Sequence, residues 1–280
     1  MAGYTRAYRI SVNRPWARVC FTVVGVERHM KISENAEKLP ILHIVLNVIK
    51  ELKERKGVLF QRLVILALIM TAFESLTDFF IAEANFRVLI VYWLIYGMVF
   101  TLFAVTCHRV IILGPDSVPK YGLYSISMRE VRFYGWGLVV YFYLSLITFI
   151  IMFPTVFFSF YSESNKYLWV SGMYILFIPG TYVFSRLSIL FPATAVDQRK
   201  DMKWAWDTTK GNGWRLLILI GVLPVIIDIV PDLFSGGSVP IDTALNFLKS
   251  MVAAFEIALL SHAYKYLSTD GIKEEGLFSA

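Results

Sequence analysis

Six stretches of this chain are apolar for about 20 residues or more, and short polar segments separate them. The hydrocarbon layer of a bilayer is ~30 Å thick and a helix rises 1.5 Å per residue, so each run is long enough to cross it. In lipid only helices and closed barrels satisfy their own backbone hydrogen bonds. Barrel strands alternate apolar and polar residues, whereas these runs are continuous, so the expected fold is all-α: a polytopic bundle of about six transmembrane helices. The expected spans are Val58–Phe80, Val88–Leu113, Phe133–Tyr161, Leu168–Pro192, Trp214–Phe234 and Ile241–Leu267. Composition agrees, since only 17% of the residues are charged against about a quarter in a soluble domain.

Lysine and arginine set the orientation. The stretch Gly114–Arg132 holds Lys120, Arg129 and Arg132, and the stretch Ala193–Gly213 holds Arg199, Lys200, Lys203 and Lys210, while the opposite loops hold only Arg87 and Lys166. By the positive-inside rule both termini are expected in the cytoplasm. The net charge of +6 then reflects topology and attraction to anionic headgroups, and nucleic-acid binding is not expected. The transmembrane domain is expected over residues 41–267, between an N-terminal segment, 1–40, and a tail, 268–280. Residues 1–29 lack the apolar pattern, and Cys20–Val26 is a short apolar run with no small-residue cleavage site behind it. Translation is expected to begin at Met30, with 1–29 a start-site artefact.

In Ile41–Lys56 the residues Ile41, Ile44, Val45, Val48, Ile49 and Leu52 recur at helical spacing, with Lys50, Glu51, Lys53, Glu54, Arg55 and Lys56 on the polar side. An amphipathic helix precedes the first span. It lies either in the membrane interface or against the protein's own cytoplasmic loops. The two cysteines and four histidines show neither a disulfide framework nor metal-ligand spacing, and no phosphate loop or nucleophile elbow is present. No cofactor, metal site or catalytic centre is expected.

An internal repeat stands out. Arg109-Val-Ile-Ile-Leu-Gly-Pro115 ends the second span and Arg186-Leu-Ser-Ile-Leu-Phe-Pro192 ends the fourth. Both read Arg-x-x-Ile-Leu-x-Pro, and a polar loop and a tryptophan (Trp136, Trp214) follow each, as in two parallel helical hairpins. Each arginine lies about 9 Å along the helix from its proline. Arg109 and Arg186 either snorkel to the headgroups or join structural ion pairs, or they face the bundle and bind an anionic headgroup. Asp228 and Lys249 are expected to form an intramembrane pair near the outer surface. Glu256, seven residues after Lys249 on the same face, is expected deeper, near the arginines. Such charges lock a bundle or line an ion path. Pro224, Pro231 and Gly221 predict a kink in the fifth span.

The stretch Ala193–Gly213 is expected to hold a short interfacial helix, with Gly211 as its left-handed cap and Asn212 starting the next helix. Arg186, Pro192, Ala205, Thr208 or Thr209, Gly211, Asn212, Trp214 and Arg215 resemble the pattern of six-span bacterial inner-membrane proteins related to the membrane domain of glycerophosphoryl diester phosphodiesterase. That resemblance implies a bacterial inner-membrane location without the phosphodiesterase activity, which belongs to a separate soluble barrel. Three readings of function stay open. The first is a non-enzymatic component that binds or helps move anionic lipid or a phosphorylated amphiphile. The second is a scaffold packed against other membrane proteins through Gly172, Gly180, Ala253 and Ala254. The third is a small-solute transporter.

Overall fold

The computed structural model describes residues 38–83, 85–159, 178–234, 236 and 238–268, and the expectations for residues 1–29, Met30 and the tail lie outside them. Among the described residues the regular structure is entirely helical, and five helices are long and apolar enough to cross a membrane. The chain is an all-α polytopic membrane protein.

Helix α1 (Ile41–Glu83) has 43 residues, about 65 Å of rod. The amphipathic segment and the first span are therefore one helix, not two. Gly57 between them is mid-helix, where it costs about 1 kcal/mol relative to alanine. A buried stripe of Ile44, Val48, Leu59, Leu63, Leu66 and Met70 runs through both halves and outweighs it. The stripe packs on α2 and α9, while Leu42, Leu46 and Ile49 of the same segment stay exposed.

Helix α2 (Phe86–Leu113) opens on Asn85, whose Oδ1 accepts the Val88 N–H at 3.1 Å, and closes at Gly114, which adopts φ +93°. A 3-10 turn, Pro115–Ser117, follows. Helix α3 (Met128–Ser159) begins with half of a capping box: the Ser127 N–H donates to Glu130 Oε2 at 2.8 Å. The fourth expected span falls largely outside the described residues. Its described part is helix α4, residues 178–187, which stops at Ser188 and Ile189 before helix α5 (Leu190–Ala195).

Pro192 thus does not end a span at the bilayer exit; it lies buried inside α5. It explains the break even so. A proline ring clashes with the carbonyl four residues earlier and leaves it without its helical partner. That carbonyl belongs to Ser188, where α4 gives way.

Helix α6 (Met202–Thr208) is capped by Asp201, and Gly211 adopts the expected left-handed conformation, φ +81°. Asn212 precedes the next helix, but its side chain caps α1 instead, accepting the Leu39 N–H at 2.8 Å. The fifth span is one rod of three parts: α7 (Gly213–Leu216), a π-helical turn (Leu217–Val222) and α8 (Leu223–Asp232). Helix α9 (Val239–Leu267) returns across the membrane. Helices α1, α2 and α9 pack mutually and carry the main core, while α3 and α5 pack together beside it.

Candidate functional site: a charged cavity between four helices

Pairs of residues one helical turn apart open a cavity inside the bundle. Met70 and Glu74 come from α1, Tyr96 and Phe100 from α2, and Asp228 from α8. Helix α9 supplies Lys249, Ser250, Ala253 and Glu256. Positions 249, 253 and 256 share a face because three to four residues make a turn. The volume is about 210 Å³, and the short side chains of Ser250 and Ala253 on the α9 wall leave it open.

The polar groups form a graded set. The Tyr96 hydroxyl donates to Glu74 Oε1 at 2.8 Å. The second oxygen of Glu74 and Oε1 of Glu256 are buried and accept no hydrogen bond within the described structure. Asp228 and Lys249 each interact with other groups of the chain. Asp228, Lys249 and Glu256 therefore meet in one place. Glu256, expected near the arginines, lines the same cavity as Asp228 and Lys249. Glu74, in the first span, completes the set, and which helix it faces is a tertiary fact.

Charge bookkeeping defines what such a cavity can do. Each ionised side chain at mid-membrane costs about 3 kcal/mol even by the most lenient scale. Three carboxylates face one ammonium group here. With all of them ionised, two further positive charges are needed for neutrality, and protons or a bound cation can supply them.

The two repeat arginines lie elsewhere, and each serves a polar loop. Arg109 Nη1 donates to the Ala195 carbonyl and to Asp197 Oδ2, both at 3.0 Å, and its Nε to the Ser117 carbonyl at 3.3 Å. Asp197 stands at φ +64° and is also bridged by Arg129 at 3.4 Å. Arg186 is buried, and its Nε donates to Thr209 Oγ1 at 2.9 Å and its Nη2 to the Trp206 carbonyl. The guanidinium carbon lies 3.5 Å from the Trp206 ring centroid. The two copies of the motif differ in local backbone but share this use: each arginine, near the end of its helix, bonds groups of the polar stretch 193–213, Arg109 at Ala195 and Asp197 and Arg186 at Trp206 and Thr209.

Three more arginines, at other places in their helices, also donate to backbone carbonyls. Arg55 donates to the Val110 carbonyl at 3.2 Å, Arg62 to that of Val118, and Arg215 to that of Leu39 at 2.7 Å. The sequence marks Arg55 only as part of a polar helix face and Arg215 only through the resemblance, and gives no signal for Arg62. Glu51 of α1 meets His262 of α9 at 2.7 Å. Among the described residues no three His, Cys, Asp or Glu side chains lie close enough to ligate one metal ion, so the three carboxylates of the cavity are spread over its walls and do not form a ready ligand set.

A second hollow, about 410 Å³, lies between α1 and α2 and is lined by Phe73, Leu76, Val91 and Ile95 among other apolar groups. It differs from the first in carrying no charged residue.

The chain matches no family model, no curated protein and no solved structure. The likeness to the phosphodiesterase-associated membrane proteins rests on the residues quoted for it alone.

Proposed function

We propose that this membrane protein binds a small cation in the cavity of Glu74, Asp228, Lys249 and Glu256 and exchanges it against protons. The observation that carries the reading is that three carboxylates and one ammonium group, from the membrane-crossing helices α1 and α9 and from α8, line one small cavity. Charges that only lock helices together are hydrogen-bonded to one another in a filled core. Here carboxylate oxygens of Glu74 and Glu256 are buried without a donor, beside open volume. A cation that enters meets a net negative lining and displaces protons that would otherwise balance it.

The anionic-lipid reading has less support. Its ligands were to be Arg109 and Arg186, and both commit guanidinium donors to the chain's own carbonyls and to Asp197 or Thr209. A phosphate would have to compete with those bonds. The orientation with cytoplasmic termini and the location in a bacterial inner membrane belong to the same proposal, the first supported by the lysine and arginine distribution and the second by the resemblance alone.

A thermal-shift titration of purified protein tests binding. Sodium, potassium and methylammonium chlorides are compared at constant ionic strength held with choline chloride. Binding at 100 times the dissociation constant stabilises by about 2.7 kcal/mol, which is a shift of several degrees. One of the three cations is expected to raise the midpoint in the wild type and not in Glu256→Gln. Identical midpoints in all salts for both proteins would remove the reading.

A further inference from the structure

The fifth rod is built of a held half and a loose half, and the cavity depends on the loose one. At the base, Asn212 Oδ1 accepts the Leu39 N–H and Arg215 donates to the Leu39 carbonyl, so two bonds fasten the rod to the start of α1. Leu216 and Leu219 are fully buried. Gly213 lies so close to the Tyr182 ring that a Cβ would collide with it. Beyond the π-turn the character changes. Ile226, Ile229, Val230 and Leu233 are at least half exposed, and α8 packs on α9.

The junction between the halves is weak for identifiable reasons. A π-turn is a local departure from the i to i−4 ladder and is common where helices bend. Pro224 follows immediately, and its missing N–H leaves the Ile220 carbonyl without its helical partner. Gly221 sits against Thr181 and Ser185, which fixes the pivot on α4. Asp228, four residues past Pro224, is the one cavity residue that the loose half supplies.

We infer that α8 is a hinged wall of the cavity, swinging about the π-turn and carrying Asp228 into and out of it. The inference rests on the cation-binding reading for its purpose, though not for its geometry. With α8 closed, Asp228 completes the acidic lining. With α8 displaced, the cavity loses one carboxylate and opens toward the side from which α8 leaves. Binding and release would then be set by the position of one helical segment while α1, α2 and α9 stay in place.

Electron-spin distance measurement on the full chain in lipid nanodiscs tests the hinge. Labels go on Leu233→Cys, at the free end of α8, and Leu76→Cys on α1, with Cys20→Ser as background; Cys107 is buried. A swing of about 20° on a ~15 Å arm moves the end by ~5 Å. The wild type is expected to show two distances about that far apart, and Pro224→Ala, which restores the missing backbone bond, only one. A single narrow distance shared by both proteins overturns the hinge. If Pro224→Ala does not fold, hydrogen exchange of the wild type decides: faster exchange over Leu223–Asp232 than over Gly213–Leu216 supports the hinge, and equal protection overturns it. Failure of the binding reading looks different, because the cation-dependent thermal shift would then be missing whatever the distances show.

Discussion

At the residue scale, the arginines show how a costly side chain is made useful. Arg186 is buried, stacks on Trp206 and bonds two groups of the loop that follows it. Its hydrogen bonds carry charge and are worth about 1.5–3 kcal/mol each before its loss strands a carbonyl. Arg186→Ala is expected to destabilise the protein by roughly 3 kcal/mol, read as a lowered melting temperature in detergent. Arg109→Ala should cost less, because Asp197, its ionic partner, is half exposed; an equal or larger loss there would contradict this assignment. Glycine gives a second contrast. At Gly122, φ is +67° and an added Cβ would run into the Arg62 carbonyl, whereas at Gly114, φ +93°, nothing stands within 4 Å. Gly122→Ala is expected to prevent folding or lower the melting temperature strongly. Gly114→Ala should cost only the backbone strain, about 1–2 kcal/mol.

At the element scale, neighbouring alanines on α9 separate the cavity from the packing around it. Ala253 lines the cavity, and Ala254 is buried in the main core. Ala253→Leu fills open volume, so cation binding should be lost with the melting temperature nearly unchanged. Ala254→Leu forces atoms into a filled core and should cost about 1–3 kcal/mol. If both variants destabilise alike and neither affects binding, the cavity is only a packing defect. Much of this element structure was legible. The apolar runs located α2, α3, the fifth rod and α9 to within a few residues, since continuous apolar sequence has few alternatives in lipid. The fusion of the amphipathic segment with the first span was not, because Gly57 and the lysines around it read as a boundary and only the shared stripe on α9 overrides them. Ser127-x-x-Glu130 was readable as a helix start and was passed over. Pro192 was read as a helix end, whereas its effect falls four residues earlier.

At the scale of the whole molecule, the distribution of charge bears on both the expected topology and the proposed function. The basic loops were plain in the sequence, and their expected orientation is open to a direct check. Lys210→Cys, in the loop between α6 and α7, should resist an impermeant thiol reagent in intact bacterial cells and react after permeabilisation. Labelling of intact cells would place that loop outside. The acidic residues were legible singly. Lys249 and Glu256 share a helix face by spacing alone, so their meeting could be read from sequence. That Glu74 and Asp228 approach the same face depends on how α1 and α8 lie against α9, and linear spacing carries no record of that. The repeated arginines admitted two readings from sequence, a structural pair or an anion site, and the structure shows both bonded to the polar stretch 193–213.

The central claim is exchange of a cation against protons through the charged cavity, and its most direct test is flux. Protein reconstituted into liposomes loaded with a pH-sensitive dye is challenged with an inward gradient of sodium, potassium or methylammonium chloride, each against choline chloride. The account predicts that one of these cations drives alkalinisation of the lumen, and that Glu256→Gln and Asp228→Asn reduce the rate at least tenfold while both variants remain folded. A wild-type rate equal to that of empty liposomes for every cation, or an undiminished rate in both variants, would contradict it.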